Sequence, residues 1–225
     1  MRRLVLLALL VGCTNDVDPP WQLDHERVIA VRATPPGIVT GETARFDALL
    51  GRSGDIPREA KPEMVTVLEP ASLAGTLTQQ GGEWIVTAPA DLTAARAELM
   101  LGPTDPVPLR LRMTFPDTKF VGLKVVFLGV HRDNPSLGTI RVGGEDKTTA
   151  LTLRVPKVTD VRLDVSFDNT FNVNWLTSCG NMHDFDLPGA YLRVEPQDPQ
   201  DGMLGVVVRD ATAGVAWKLW QISAE

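Results

Sequence analysis

From residue 26 onward, apolar and polar residues alternate with a period of two along most of the chain, the pattern of strands with one buried face. Val28-Ile29-Ala30-Val31 makes an opening strand, and Thr34-Pro35-Pro36-Gly37 ends it. Gly41-Glu42 then turns the chain into Thr43 to Leu50, where Ala44, Phe46 and Ala48 oppose Arg45 and Asp47. Gly51 to Pro62 mixes glycine, proline and charges and reads as a loop. Met64 to Leu68 and Glu83 to Thr87 read as further strands. Asp91 to Met100 breaks the pattern, because Ala, Leu, Arg and Glu favour helix, with Asp91 as N-cap and Gly102-Pro103 as the stop. Val107, Leu109, Leu111, Met113 and Phe115 then alternate with Pro108, Arg110, Arg112 and Thr114. Phe120 to Val130 is apolar on both faces, which suits a central strand or one lying against a neighbouring domain.

Asp133-Asn134-Pro135 is a turn signal and marks a domain boundary. Beyond it Leu151, Leu153 and Val155 form one strand face, and Val161, Leu163, Val165 and Phe167 another. Asp168-Asn169-Thr170 turns the chain into Phe171, Val173 and Trp175, opposed by Asn172 and Asn174. The remaining strands are Ala190 to Glu195, Met203 to Arg209 and Val215 to Ile222. Short strands punctuated this regularly by turns indicate β-sandwiches. The last strand is apolar on both sides: Val215, Trp217 and Leu219 on one, Ala216, Trp220 and Ile222 with Lys218 on the other. One face belongs to a core. The surplus, with Trp220 and Ile222, either seals the junction with the first domain or forms an exposed patch, so Trp217, Trp220 and Ile222 are a candidate binding face. The two-faced strand at Phe120 to Val130 is its natural mate.

The opening strand, proline break, Gly-Glu turn and second strand resemble the start of bacterial immunoglobulin-like domains. Val173-Asn174-Trp175 followed by Gly180 is similar to the central tryptophan strand of immunoglobulin-like and polycystic-kidney-type repeats. Gly202 to Asp210 resembles their penultimate strand, and Asp210 to Trp217 their final turn and strand. The resemblance implies an all-β chain: two immunoglobulin-like β-sandwich domains in tandem, residues 26–131 and 132–225, with one short helix in the first. It implies extracellular scaffolding or recognition, not a conserved reaction. The inter-sheet disulfide of antibody domains is missing, so packing alone must hold each core.

The chain opens with Met1-Arg2-Arg3, an eight-residue apolar run from Leu4 to Val11, then Gly12 and Cys13. That run falls far short of the ~20 residues that span a bilayer, and the order is that of a secretory signal. Leu10-Val11-Gly12-Cys13 resembles the lipobox of bacterial lipoproteins. The resemblance implies cleavage between Gly12 and Cys13, a diacylglyceryl thioether on Cys13 and acylation of the new amino group. Residues 1–12 are then the signal peptide, and 13–25 the lipidated cysteine and its tether. Thr14 stands where an aspartate favours inner-membrane retention in Gram-negative lipoproteins, which points to the outer membrane. Thr14 to Asp24 is polar, with Pro19-Pro20 and no apolar period, and reads as a linker reaching about 35 Å when extended. Trp21 is expected to pack on the first domain.

Cleavage leaves 213 of the 225 residues and removes two arginines and no acids, so 20 basic residues face 28 acidic ones, a formal charge of −8. Basic residues are scattered among acids, which argues against nucleic acid as a partner. The partners expected are the membrane, through the lipid on Cys13, and another envelope protein. With Cys13 alkylated, Cys179 has no partner in the chain and is expected to be buried. Cys179, His183, Asp184 and Asp186 form the densest chemical cluster, a candidate thiol-imidazole pair or weak polar site within a loop after the tryptophan strand. The competing reading is a hydrolase or thiol enzyme using Cys179 and His183. A third is a calcium-stabilised adhesion domain, with Asp184, Asp186, Asp198, Asp201 and Asp210 in or beside loops. Serine-hydrolase, phosphate-loop, dinucleotide and paired zinc-histidine signatures are absent. The leading expectation is a non-enzymatic binding or structural module with no catalytic residues, no metal and no cofactor.

Overall fold

In the computed structural model, residues 19–166 and 172–225 are described. The expected lipobox at Gly12 and Cys13, and the Phe167 to Phe171 turn, lie outside them. The first sandwich opens with β1 (Arg27–Thr34), which leaves its sheet at the Pro35-Pro36 break and continues as β2 (Gly37–Ile38) in the facing one. β3 (Thr43–Arg52), β4 (Asp55–Ala60), β5 (Met64–Glu69), β6 (Leu77–Gln80), β7 (Glu83–Thr87), β8 (Val107–Thr114) and β9 (Val121–Leu128) follow. One sheet runs β1-β3-β7-β6 with β4 also on β3, and the other runs β2-β9-β8-β5. Between them Phe46, Leu109, Leu111, Met113, Phe115 and Leu128 close a continuous core.

The second sandwich repeats the plan with β10 (Ile140–Val142), β11 (Glu145–Asp146), β12 (Thr152–Val155), β13 (Val161–Val165), β14 (Asn172–Thr177), β15 (Asn181–His183), β16 (Gly189–Arg193), β17 (Asp201–Arg209) and β18 (Val215–Ala224). Its sheets run β11-β10-β13-β16-β15 and β12-β18-β17-β14. In each sandwich an early strand pairs in parallel with the last one, β2 with β9 and β12 with β18, while the other ladders named here are antiparallel. The chain is therefore all-β, two immunoglobulin-like sandwiches in tandem. The tryptophan strand β14 pairs with β17, and β17 with β18.

Several elements depart from the expectation. Gly51 to Pro62 is a hairpin, with β4 pairing β3 from Ala48↔Ala60 to Arg52↔Asp55. Pro57 breaks the apolar alternation there, but a proline is tolerated because β4 has β3 as its one neighbour. β6 joins β7 through Gly81-Gly82, both at positive φ, and β10 joins β11 through Gly143-Gly144 in the same conformation. Two successive left-handed residues match the twist of paired strands, and glycine adopts them without steric penalty. A 3-10 helix, Ala71–Thr76, was also unforeseen. The helix α1 is shorter than expected, Thr93–Glu98, with Asp91 Oδ1 accepting the Thr93 amide at 2.8 Å. Its last turn closes where Met100 takes φ 56°. Among the described residues no helix is long and apolar enough to cross a membrane.

Candidate functional site at the domain junction

The outward faces of β1 and β3 lie against those of β14, β17 and β18. Ala30 and Leu49 from the first sandwich meet Leu176, Met203, Val207, Val215 and Trp217 from the second, with Ile29 and Leu219 at the margin. Each buried valine or leucine side chain contributes about 1.5–3 kcal/mol, so this third cluster is a large fraction of what one domain needs for stability. The polar groups caught in it are matched. Arg32 makes two hydrogen bonds to Asp47, at 3.0 and 2.5 Å, and lies 3.9 Å from the centre of the Trp217 ring. The Trp217 indole N–H donates to Glu59 at 2.7 Å. Asn134, in the boundary segment, donates to the Ala33 carbonyl and accepts from the Val215 amide, both at 2.8 Å.

Two further cations lie there, Arg209 half-buried and Lys124 buried. Arg209 donates to Asn174 and to the Ile29 carbonyl, both at 2.7 Å, and burial lowers its pKa. Lys124, on β9, is 6 % exposed and donates to the Ala213 carbonyl across the junction. Burial pulls its pKa down to about 8, against the opposing pull of the Asp210 and Asp47 carboxylates and with a further lowering from Arg209 and Arg32.

The segment read as a free linker is part of this structure from Pro19 onward. Leu23 is 0 % exposed in the junction core, its amide bonded to the Thr177 carbonyl at 2.8 Å, while the Thr177 amide donates to the Trp21 carbonyl at 2.9 Å. Arg27 reaches back to the Pro20 and Gln22 carbonyls at 2.9 and 2.6 Å. Trp21 packs against the second sandwich's core, not the first. The segment therefore lies along the end of β14 as an added strand edge, its backbone partners supplied by Thr177.

The candidate binding face is corrected in detail. Trp220, 0 % exposed, and Ile222 belong to the second sandwich's core, whereas Trp217 is in the junction. The face left over after core packing is thus Val215, Trp217 and Leu219, the opposite of the expected one, and it is covered. On β9 the junction contact is carried by Lys124, while Leu123 stays 68 % exposed on the other side.

Cys179 and His183 are not brought together. Cys179 is 1 % exposed in the second core, and burial pushes its thiol up to about 11, partly offset by the Thr177 hydroxyl. His183 is on the exposed face of β15, opposite Tyr191, in a strand where a loop was expected. A buried, protonated thiol with no imidazole beside it has neither the thiolate nor the base that nucleophilic catalysis needs. Asp184 takes φ 55° at the end of β15, and its carbonyl accepts from the Leu187 amide at 2.9 Å, while Asp186 follows in the same turn. Asp198 Oδ2 accepts the Glu195 amide at 2.9 Å, and Asp210 Oδ1 accepts the amides of Thr212 and Gly214, both at 2.7 Å. These last two carboxylates shape turns. Among the described residues no group of three or more His, Cys, Asp or Glu side chains is placed to hold a metal ion.

Two outcomes follow from this geometry. Trp217→Ala lowers stability by about 3 kcal/mol and splits one cooperative urea transition into two, as followed by tryptophan fluorescence and circular dichroism. Lys124 loses its proton at about pH 8 when folded and near pH 10.5 when unfolded, so the unfolded chain binds more protons between those values and stability rises with pH across that window. Lys124→Met abolishes that rise and stabilises the protein at pH 7 by about 2 kcal/mol, measured by urea unfolding at a series of pH values.

No family model matches the chain, and no curated protein does. Similar solved structures include the tandem Ig repeats of Dlar, at 14 % identity over 87 % of this chain and 97 % of that one, with a TM-score of 0.31. A C-terminal 282-residue fragment of intimin, in complex with the intimin-binding domain of the translocated intimin receptor, matches at 12 % identity over 88 % and 64 %, TM-score 0.31. Domains 4 and 5 of the S-layer protein SbsC match at 11 % over 88 % and 98 %, TM-score 0.26. At these scores none of them defines how the present sandwiches are arranged, which rests on the strand pairing and junction described above.

Proposed function

We propose that this chain is a non-enzymatic structural or binding module of the cell envelope, exported and held at the outer membrane through lipid on Cys13. The sealed junction is the observation that carries the modular reading. An apolar cluster with Trp217 at its centre joins two sandwiches into one body, which suits a part whose task is to hold surfaces at fixed positions. The lipid reading is supported by the order Arg2-Arg3, apolar run, Gly12, Cys13. Each buried methylene of an acyl chain contributes about 0.8 kcal/mol, so two or three chains hold durably where one would exchange. Because the segment from Pro19 is docked, only the five residues 14–18 separate the anchor from the body. Their full extension is about 17 Å, half the reach read from the sequence. Anchoring in this form keeps the body close to the lipid headgroups.

Cys13→Ser should move the protein from the membrane fraction to the soluble envelope fraction; retention in the membrane fraction defeats the anchoring reading. The non-enzymatic reading makes a separate demand. At pH 8 the native protein's Cys179 should react with a thiol reagent no faster than global unfolding allows, and rapidly once urea is added. Fast labelling of the native protein would restore the thiol-enzyme alternative.

A further inference from the structure

Below the sealed part of the junction the two sandwiches part, and a cleft of about 790 Å³ opens between them. Its floor is the outward face of β12, β18 and β17. Register places Arg154, Ser223 and Asp201 in one cross-strand row and Thr152, Gln221 and Met203 in the next. Its walls come from elsewhere in the chain: Asp24 on the docked N-terminal segment, and Gly54 with Ile56 on the β3–β4 hairpin. Clefts at domain seams, with apolar surface and a few convergent polar groups, are where ligands bind most often.

The charges within this cleft are unbalanced. Arg154, 81 % exposed, is ion-paired with Glu225 at 3.3 Å, so that carboxylate and solvent screen it. Neither Asp24 nor Asp201 forms an ion pair of that kind with a described residue, although the Arg27 guanidinium attracts Asp24 electrostatically. Asp24 Oδ1 is buried with no hydrogen-bond partner among the described residues. Asp201 is exposed at the start of β17 and makes no side-chain hydrogen bond or ion pair with a described residue. A carboxylate oxygen with no hydrogen-bond partner keeps its acceptor capacity free for a donor that enters the cleft. Beside the two carboxylates stand Met203 on the floor and Ile56, 55 % exposed, on the hairpin wall. Apolar surface next to paired acids fits a cation carried on a methylene stem, because the stem covers the apolar wall while the head reaches the acids.

We propose that this cleft binds a lysine or arginine side chain presented by an extended segment of a partner protein. The inference deepens the reading as a binding module and is independent of the lipid anchor. Asp201 supplies the exposed half of the charge pair, Asp24 the half built by the docked N-terminal segment, and Gln221 and Ser223 offer hydrogen bonds to the partner's backbone.

The test is a titration of the full chain, followed by methyl chemical shifts of Ile56 and Met203, with acetyl-Gly-Arg-Gly-amide and acetyl-Gly-Lys-Gly-amide. The matching norleucine peptide keeps the stem and removes the charge, and cellotriose is the neutral alternative ligand. Saturable binding of either basic peptide is expected, weakening with added salt and falling about tenfold in Asp201→Asn. Asp24→Asn should act in the same direction, and Asp160→Asn, outside the cleft, should have no effect. The proposal is overturned if neither basic peptide shifts these methyls, if norleucine binds as well, if Asp201→Asn leaves affinity unchanged, or if cellotriose binds in preference. None of these results bears on whether Cys13→Ser releases the protein from membranes, so the two ideas fail separately.

Discussion

The packing of Trp217 between Arg32 and the apolar floor of the junction sets conditions that the rest of the molecule meets. β18 has to be apolar on both sides because it sits between two hydrophobic layers, the second sandwich's own core and the first sandwich's β1–β3 face. Trp220 serves the one and Trp217 the other. Covering an outward sheet face in this way removes the usual polar side of an antiparallel strand, and the sequence of β18 carries the mark of it. The N-terminal segment is drawn into the same contact, since Leu23 completes the cluster and Thr177 supplies its backbone partners.

That arrangement brings charge into places with little water. Arg209 is half-buried and Lys124 buried, and each is tolerated because a backbone carbonyl from the opposite sandwich accepts a hydrogen bond from it. Burial without such acceptors would cost several kcal/mol per ion. The same bonds fix the relative position of the two domains, because a hydrogen bond is directional where apolar contact is not. Where the domains diverge, carboxylates remain without such partners, and the cleft they line is a recess for charge of the opposite sign.

Much of the strand pattern was legible. Alternation marked β3, β8, β13 and β14, and the apolar run Val28 to Val31 marked β1. The Gly81-Gly82 and Gly143-Gly144 pairs signal two hairpins, but β6, β10 and β11, of four, three and two residues, are too short to show a period. β4 was hidden by Pro57 and its neighbouring charges, which an edge strand accepts and a central one does not. β15 was hidden in another way: three residues, with Met182 alone pointing inward, give no periodicity to read.

Of the candidate site, sequence spacing placed Cys179 near His183 along the chain, but Cys179 stands in the bend before β15, and Gly180, at φ 74°, redirects the backbone between the two. Cys179 therefore enters the core while His183 faces outward. The amino-acid sequence by itself determined that this is a β-rich chain, where its main strands run, and that its last strand has two apolar faces. The proposed lipid attachment at Cys13 rests on a resemblance of Leu10 to Cys13 to a lipobox. Only the tertiary structure decided which face of β18 is core and which is junction, that Leu23 and Trp21 dock instead of hanging free, and that Asp24 and Asp201 share a cleft. The reason is physical: a period of two says which residues share a face, but what covers that face comes from parts of the chain far away in sequence.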